Sequence, residues 1–142
     1  MKLTDLKPPA STADLLSSEI IRKDLAKLNY SGDVDAYLKN IAASVYENRS
    51  ILLRFADTIF WFRSVGEPKV FDVHLYTVDS PKALAGAINA GIDTLRRAGV
   101  KRLVSHTDNK KIVKLLQRLN YPVEVKKENN LFAWTMEIPN EI

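Results

Sequence analysis

Apolar positions between residues 13 and 48 recur at helical spacing. Leu15, Leu16, Ile20, Leu25 and Leu28 fall near one face of a helix over roughly 13–28, which Ser11 or Thr12 is placed to cap. Ser31-Gly32-Asp33 breaks that pattern, and Val34, Tyr37, Leu38, Ile41, Val45 and Tyr46 resume it over about 34–48. Ahead of both, Lys2 to Leu6 reads as a short strand ended by Pro8-Pro9. The texture then changes. ILLRFADTIFWFRSV concentrates β-branched and aromatic residues on either side of Ala56-Asp57, which predicts two strands and a turn. Gly66-Glu67-Pro68 makes the next turn. VFDVHLYTV follows as a strand with Phe71, Val73 and Leu75 on one face and Asp72, His74 and Tyr76 on the other.

From there strands and helices alternate. Asp79 or Ser80 caps a helix and Pro81 takes its permitted first-turn place. Leu84, Ala87, Ile88, Gly91, Ile92, Leu95 and Ala98 make one apolar stripe, ended by Gly99. KRLVSH is a short buried strand, 109–119 a helix, and VEVK and LFAWTMEI two strands joined by a polar turn. Strand, helix, strand predicts a parallel crossover between VFDVHLYTV and KRLVSH, and the last two strands predict an antiparallel hairpin on the same sheet. The fold class is mixed α+β, and with no repeat, linker or low-complexity tract the whole of 1–142 reads as one domain.

Composition narrows the classes of function. Cysteine is absent, which removes disulfides, thiolate nucleophiles and cysteine-held zinc, and fits a reducing compartment. MKLTDLKPPASTADLL carries no basic-then-apolar leader, so the expected location is the cytoplasm, and no apolar run approaches the ~20 residues of a membrane span. The formal charge of +4 suits an anionic ligand, a phosphorylated cofactor or nucleic acid, but is too small to choose among them, and lysines on solvated helix faces are the plainer account. The five glycines fall in neither G-x-G-x-x-G nor P-loop spacing, and no serine triad appears.

The stretch VSHTDNKKIVKLLQRLNYP at 104–122 carries the most specific signal. Asn109 is followed by Ile112, Leu115, Leu116, Arg118, Leu119, Asn120 and Tyr121. This is similar to the motif of the GCN5-related N-acetyltransferases: Asn, a small apolar residue three places on, then Leu-Tyr, one residue, Lys-Leu-Gly-Phe. Asn120 replaces the glycine and tolerates the left-handed conformation a helix end needs. Leu116 stands where many members carry the tyrosine proposed as general acid. The order of elements resembles the same fold: a mixed sheet with a parallel, splayed strand pair and flanking helices. The family's diphosphate signature is degenerate here. Counting from Val78 gives Ala83, Gly86 and Ile88, and a one-residue shift gives Lys82, Ala85 and Ala87.

The resemblance implies acetyl-coenzyme A as cosubstrate, an amine acceptor, and transfer by direct attack in a ternary complex. It implies coenzyme contacts from Val78, Lys82, Ala83, Gly86, His106 and Asn109, and chemistry on the strand face bearing Asp72, His74 and Tyr76. His74 is the base candidate, because an ordinary imidazole pKa near 6.5 lets it take a proton near neutrality. A strand histidine bonded to a neighbour, and a loop histidine at 106, are the plainer alternatives. A metal held by His74, His106 and a carboxylate has no ligand spacing to support it. Lys110, Lys111, Lys114 and Arg118 lie along one helix side, facing a coenzyme phosphate, a nucleic-acid backbone or water alone. Trp61, Phe60 and Phe62 read as core rather than as a base-stacking platform, since only Arg63 is near them. Three function classes remain: an N-acyltransferase, a catalytically silent protein of the same fold, and a basic nucleic-acid module. Short divergent versions resembling this chain occur among phage-encoded proteins, which suits either of the first two. No membrane partner is expected, nucleic acid is disfavoured, and a homodimer stays open.

Overall fold

In the computed structural model, residues 12–28, 30–107 and 110–139 are described. The strand expected at 2–6, the cap at Ser11, and Asp108 and Asn109 lie outside them.

The single helix expected over 13–28 is two, α1 (Thr12–Ser17) and α2 (Glu19–Lys27). Ser18 is extended, with φ −68° and ψ 155°. Its hydroxyl donates to the Leu15 carbonyl at 2.6 Å, and that of Ser17 donates to the Asp14 carbonyl at 3.1 Å. Two consecutive serines therefore compete for carbonyls that a continuous helix would use. α3 (Val34–Tyr46) starts under an Asp33 cap that accepts the Ala36 N–H. It stops short of residue 48 because Asn48 turns left-handed at φ 60°, where the Arg49 N–H reaches the Ser44 carbonyl at 2.9 Å.

β1 (Ser50–Phe55), β2 (Thr58–Ser64) and β3 (Val70–Thr77) form an antiparallel meander. α4 (Pro81–Arg97) crosses to β4 (Arg102–Thr107), which is parallel to β3. α5 (Lys111–Arg118) leads to the hairpin β5 (Val123–Glu128) and β6 (Leu131–Glu137). The sheet runs β1-β2-β3-β4-β6-β5, so β6 inserts beside β4 and β5 is the edge. The α5 terminus is closed by Asn120 at φ 66°: its N–H reaches the Gln117 carbonyl, and the Tyr121 N–H reaches that of Leu116. Gly99 (φ 88°) ends α4 in the same way.

Alternation sorts the strand side chains into two cores. Leu52, Ile59, Trp61 and Tyr76 face α1–α3. Leu53, Phe60, Phe62, Val73, Leu103 and Met136 face α4 and α5. Gly91 faces the Phe60 ring of β2, where a Cβ would stand 3.4 Å away, at the edge of ordinary van der Waals contact. No helix among the described residues is long and apolar enough to cross a membrane.

Candidate active-site cleft

Strands β3 and β4 pair over only three residues, Val70 with Arg102, Phe71 with Leu103 and Asp72 with Val104, and then part. The helices on this face sit over opposite ends of the sheet, α4 against β1 and β2 and α5 against β5. A cleft of about 650 Å³ opens between them, walled by Val73, His74 and Leu75 from β3, Ser105 and His106 from β4, and Leu116 from α5. Thr58 and Thr77 meet through their hydroxyls at 2.7 Å, and the Val78 N–H donates to the Asp57 carbonyl at 3.2 Å. In an antiparallel ladder that arrangement turns the backbone groups of Thr77 away from β2. By the same alternation the Leu75 N–H points into the cleft.

His74 lies at this opening; Asp72, two residues back on the same strand face, does not line it and is paired to Arg63 across the β2–β3 ladder. The Arg63 guanidinium also lies over the Trp61 ring, 4.6 Å from its centroid. Burial lowers the pKa of His74, and the Arg63 charge lowers it further, while Asp72 opposes both. The imidazole is therefore neutral at physiological pH, the form a base requires. Tyr76 shares the strand face of these two but not their access. It is fully buried beneath α2 and α3, and its hydroxyl shares a 2.5 Å hydrogen bond with that of Tyr37. Burial pushes its proton loss far above the ordinary range. Tyr76 therefore stands outside the reachable set, because α2 and α3 cover this end of β3.

The expected coenzyme contacts divide. Val78 is exposed, but its N–H is spent on the β1–β2 turn. At the start of α4 the Ser80 hydroxyl accepts the Ala83 N–H at 3.3 Å, and Pro81 has no N–H to offer. One first-turn amide is thus taken and another missing where a helix N-terminus would receive a diphosphate. Asp79 stands at the same mouth, its carboxylate accepting from the Thr58 hydroxyl at 2.7 Å and the Asp57 N–H at 3.0 Å. Lys82 and Gly86 are exposed on α4 and do not line the cleft, whereas His106 does. Across the opening, Lys111, Lys114 and Arg118 line the cleft from α5 and make its rim basic. Lys110 instead lies over the Phe132 ring, 4.7 Å from its centroid. Leu116 is buried in the wall and brings no hydroxyl. Tyr121 donates to the Asn89 side chain at 2.5 Å, so the aromatic after α5 braces α5 against α4.

Asp24 was not among the candidates. It is buried on α2, lines the cleft, and accepts the Thr77 N–H at the open edge of β3. Its position between Ile20, Ile21 and Leu25 on the apolar stripe is the sequence signal that marks it. Burial raises its pKa against the opposing pull of that N–H and of Lys27. A raised carboxyl pKa contributes stability below the unfolded-state value that is lost as pH rises through the folded-state value. Asp24→Asn keeps an acceptor for Thr77 and removes the buried charge. The variant should melt above wild type at pH 8, with the gap closing toward pH 3; equal pH dependence in the two proteins would refute this.

No protein-family model matches the chain, and no curated protein matches it. Solved structures do. The putative acetyltransferase yncA from Salmonella typhimurium, with its cofactor acetyl-CoA, is 19% identical over 93% of this chain and 91% of that one, at a TM-score of 0.59. Aminoglycoside 6′-acetyltransferase type Ii is 11% identical, covers 92% of each chain and reaches a TM-score of 0.65. Ribosomal-protein-alanine N-acetyltransferase from Brucella melitensis is 12% identical over 90% of this chain and 95% of that one, at a TM-score of 0.60. At these identities the likeness speaks for architecture, and the architecture is the acyl-coenzyme A N-acyltransferase fold of the GCN5-related acetyltransferases.

Proposed function

We propose that the chain is an N-acyltransferase that uses acetyl-coenzyme A and acylates a small amine or a protein amino group by direct attack. The observation that carries this is the parting of β3 and β4 after three pairs, which leaves a strand edge and a neutral histidine in one cleft. Asp24 holds the Thr77 N–H, and ahead of it the Leu75 stretch of the β3 edge is left to pair with an extended, amide-bearing arm, as a further strand would. The Leu75 N–H is placed to hold the oxyanion that forms when the amine adds to the thioester carbonyl. His74 takes the proton of the attacking amine. Lys111, Lys114 and Arg118 supply the charge for phosphates that α4, capped by Ser80, supplies weakly.

A second reading, a catalytically silent protein of this fold, is favoured by Leu116 and by the occupied first turn of α4. Acetyl-coenzyme A titrated against the melting temperature tests the first. At about 100 times the Kd, linkage adds about 2.7 kcal/mol, or roughly 6–10 °C for a chain of this size. An unchanged melting temperature at millimolar acetyl-coenzyme A removes the enzyme. A shift without thiol release from acetyl-coenzyme A in the presence of any amine leaves the silent protein.

A further inference from the structure

The face of the sheet opposite α4 and α5 carries a second cavity of about 300 Å³. Asp72, His74, Val104 and His106 share that face by strand alternation, together with Arg63 from β2. The core under α1–α3 draws its strand residues from β1, β2 and the end of β3, so this part of the face stays uncovered. The two cavities share His74, Ser105 and His106, which places their meeting point at the parting of β3 and β4. A group bound in the smaller cavity thus reaches the histidine from the side opposite the coenzyme cleft.

The smaller cavity offers charges of both signs. Asp72 holds Arg63, and its side chain keeps 18% exposure while that of Arg63 keeps 43%; both line the cavity. Arg63 Nε is buried without a hydrogen-bond partner among the described residues. His106 stands at the rim, its Nε2 3.8 Å from the Glu128 carboxylate. Val65 and Val104 add apolar wall. A simple amine would match Asp72 and leave the guanidinium unmatched. A compact ligand with an ammonium and a carboxylate a few bonds apart matches both. The volume lies at the small end of ligand sites, which admits a small molecule bodily.

We propose, resting on the acyltransferase assignment, that the acceptor is a free α-amino acid with an apolar side chain, its carboxylate on Arg63 and its amino group between Asp72 and His74. The ammonium gives one proton to solvent on entry. The neutral nitrogen then attacks the thioester carbonyl, the second proton passes to His74 as the C–N bond forms, and the C–S pair leaves on the coenzyme thiolate. The products are an N-acyl amino acid and free coenzyme.

Thiol release from acetyl-coenzyme A, measured with leucine, leucinamide and isoamylamine, tests the assignment. Leucine should exceed both neutralised analogues in kcat/KM by about 100-fold, because only it engages the guanidinium fork. Arg63→Gln should raise the KM for leucine by about 10- to 100-fold with a smaller change in kcat. Arg63 also braces Trp61, so Arg63→Lys, which keeps the charge and loses the fork, serves as the folded comparison and should fall between. Equal rates with all three acceptors, or no thiol release although acetyl-coenzyme A raises the melting temperature, would overturn the amino-acid acceptor alone. No melting shift with acetyl-coenzyme A would overturn the acyltransferase assignment and this inference with it.

Discussion

His74→Ala should lower kcat for acetyl transfer by about 10²- to 10⁴-fold, the range a positioned general base contributes. The expectation rests on three properties held together. The imidazole stands where the larger cleft and the smaller cavity meet. Burial and the Arg63 charge keep it neutral below the pH at which a free histidine gains its proton. The neighbouring Asp72 moderates that effect without neutralising it. The acid limb of the kcat profile should therefore lie below pH 6.5, and Asp72→Asn should move it lower still, because the one group that raises the pKa is then gone. The melting temperature of the alanine variant serves as the control for folding. Wild-type rates in a folded His74→Ala protein would remove His74 from the mechanism.

Phe62→Ala should cost about 3–5 kcal/mol of stability, the range for emptying a buried aromatic site. Phe62 is 1% exposed and stacks on Phe60 at 5.9 Å with an interplanar angle of 7°. Both rings also line the floor of the cleft beneath α4. Removing one leaves a void in packed surroundings, and the neighbouring ring loses its stacking face. At roughly 3 °C per kcal/mol for this chain length, the melting temperature should fall by about 10–15 °C. Differential scanning calorimetry measures it directly, and a drop below about 3 °C would show that the floor relaxes into the cleft and closes it. Acetyl-coenzyme A binding would then weaken with little loss of stability.

Much of the scaffold was legible along the chain because its signals are local. The period of two in VFDVHLYTV placed Asp72, His74 and Tyr76 on one face, and the β2 and β3 registers bear that out. Asn120 and Gly99 both adopt the left-handed helix end their residue types suggest, since that choice depends on a few neighbouring bonds. The crossover from β3 to a parallel β4 followed from element order. The errors have local causes too. Ser17 and Ser18 took helix carbonyls for themselves and split one helix into two.

The candidate site was less legible, because access is a property of what lies above a strand. Nothing in the alternation of β3 separates His74, which opens on two cavities, from Tyr76, which α2 and α3 seal. Asp24 meets Thr77 across 53 positions of sequence, and Arg63 meets Asp72 only through the register of two strands. By itself the sequence determined which side chains share a face and in what order the elements run, since these follow from short-range sterics and backbone hydrogen bonding. Only the tertiary structure decided that β3 and β4 part after three pairs, and so which of those faces a ligand can reach. That depends on where helices from distant parts of the chain bury their apolar sides, and no local pattern records it.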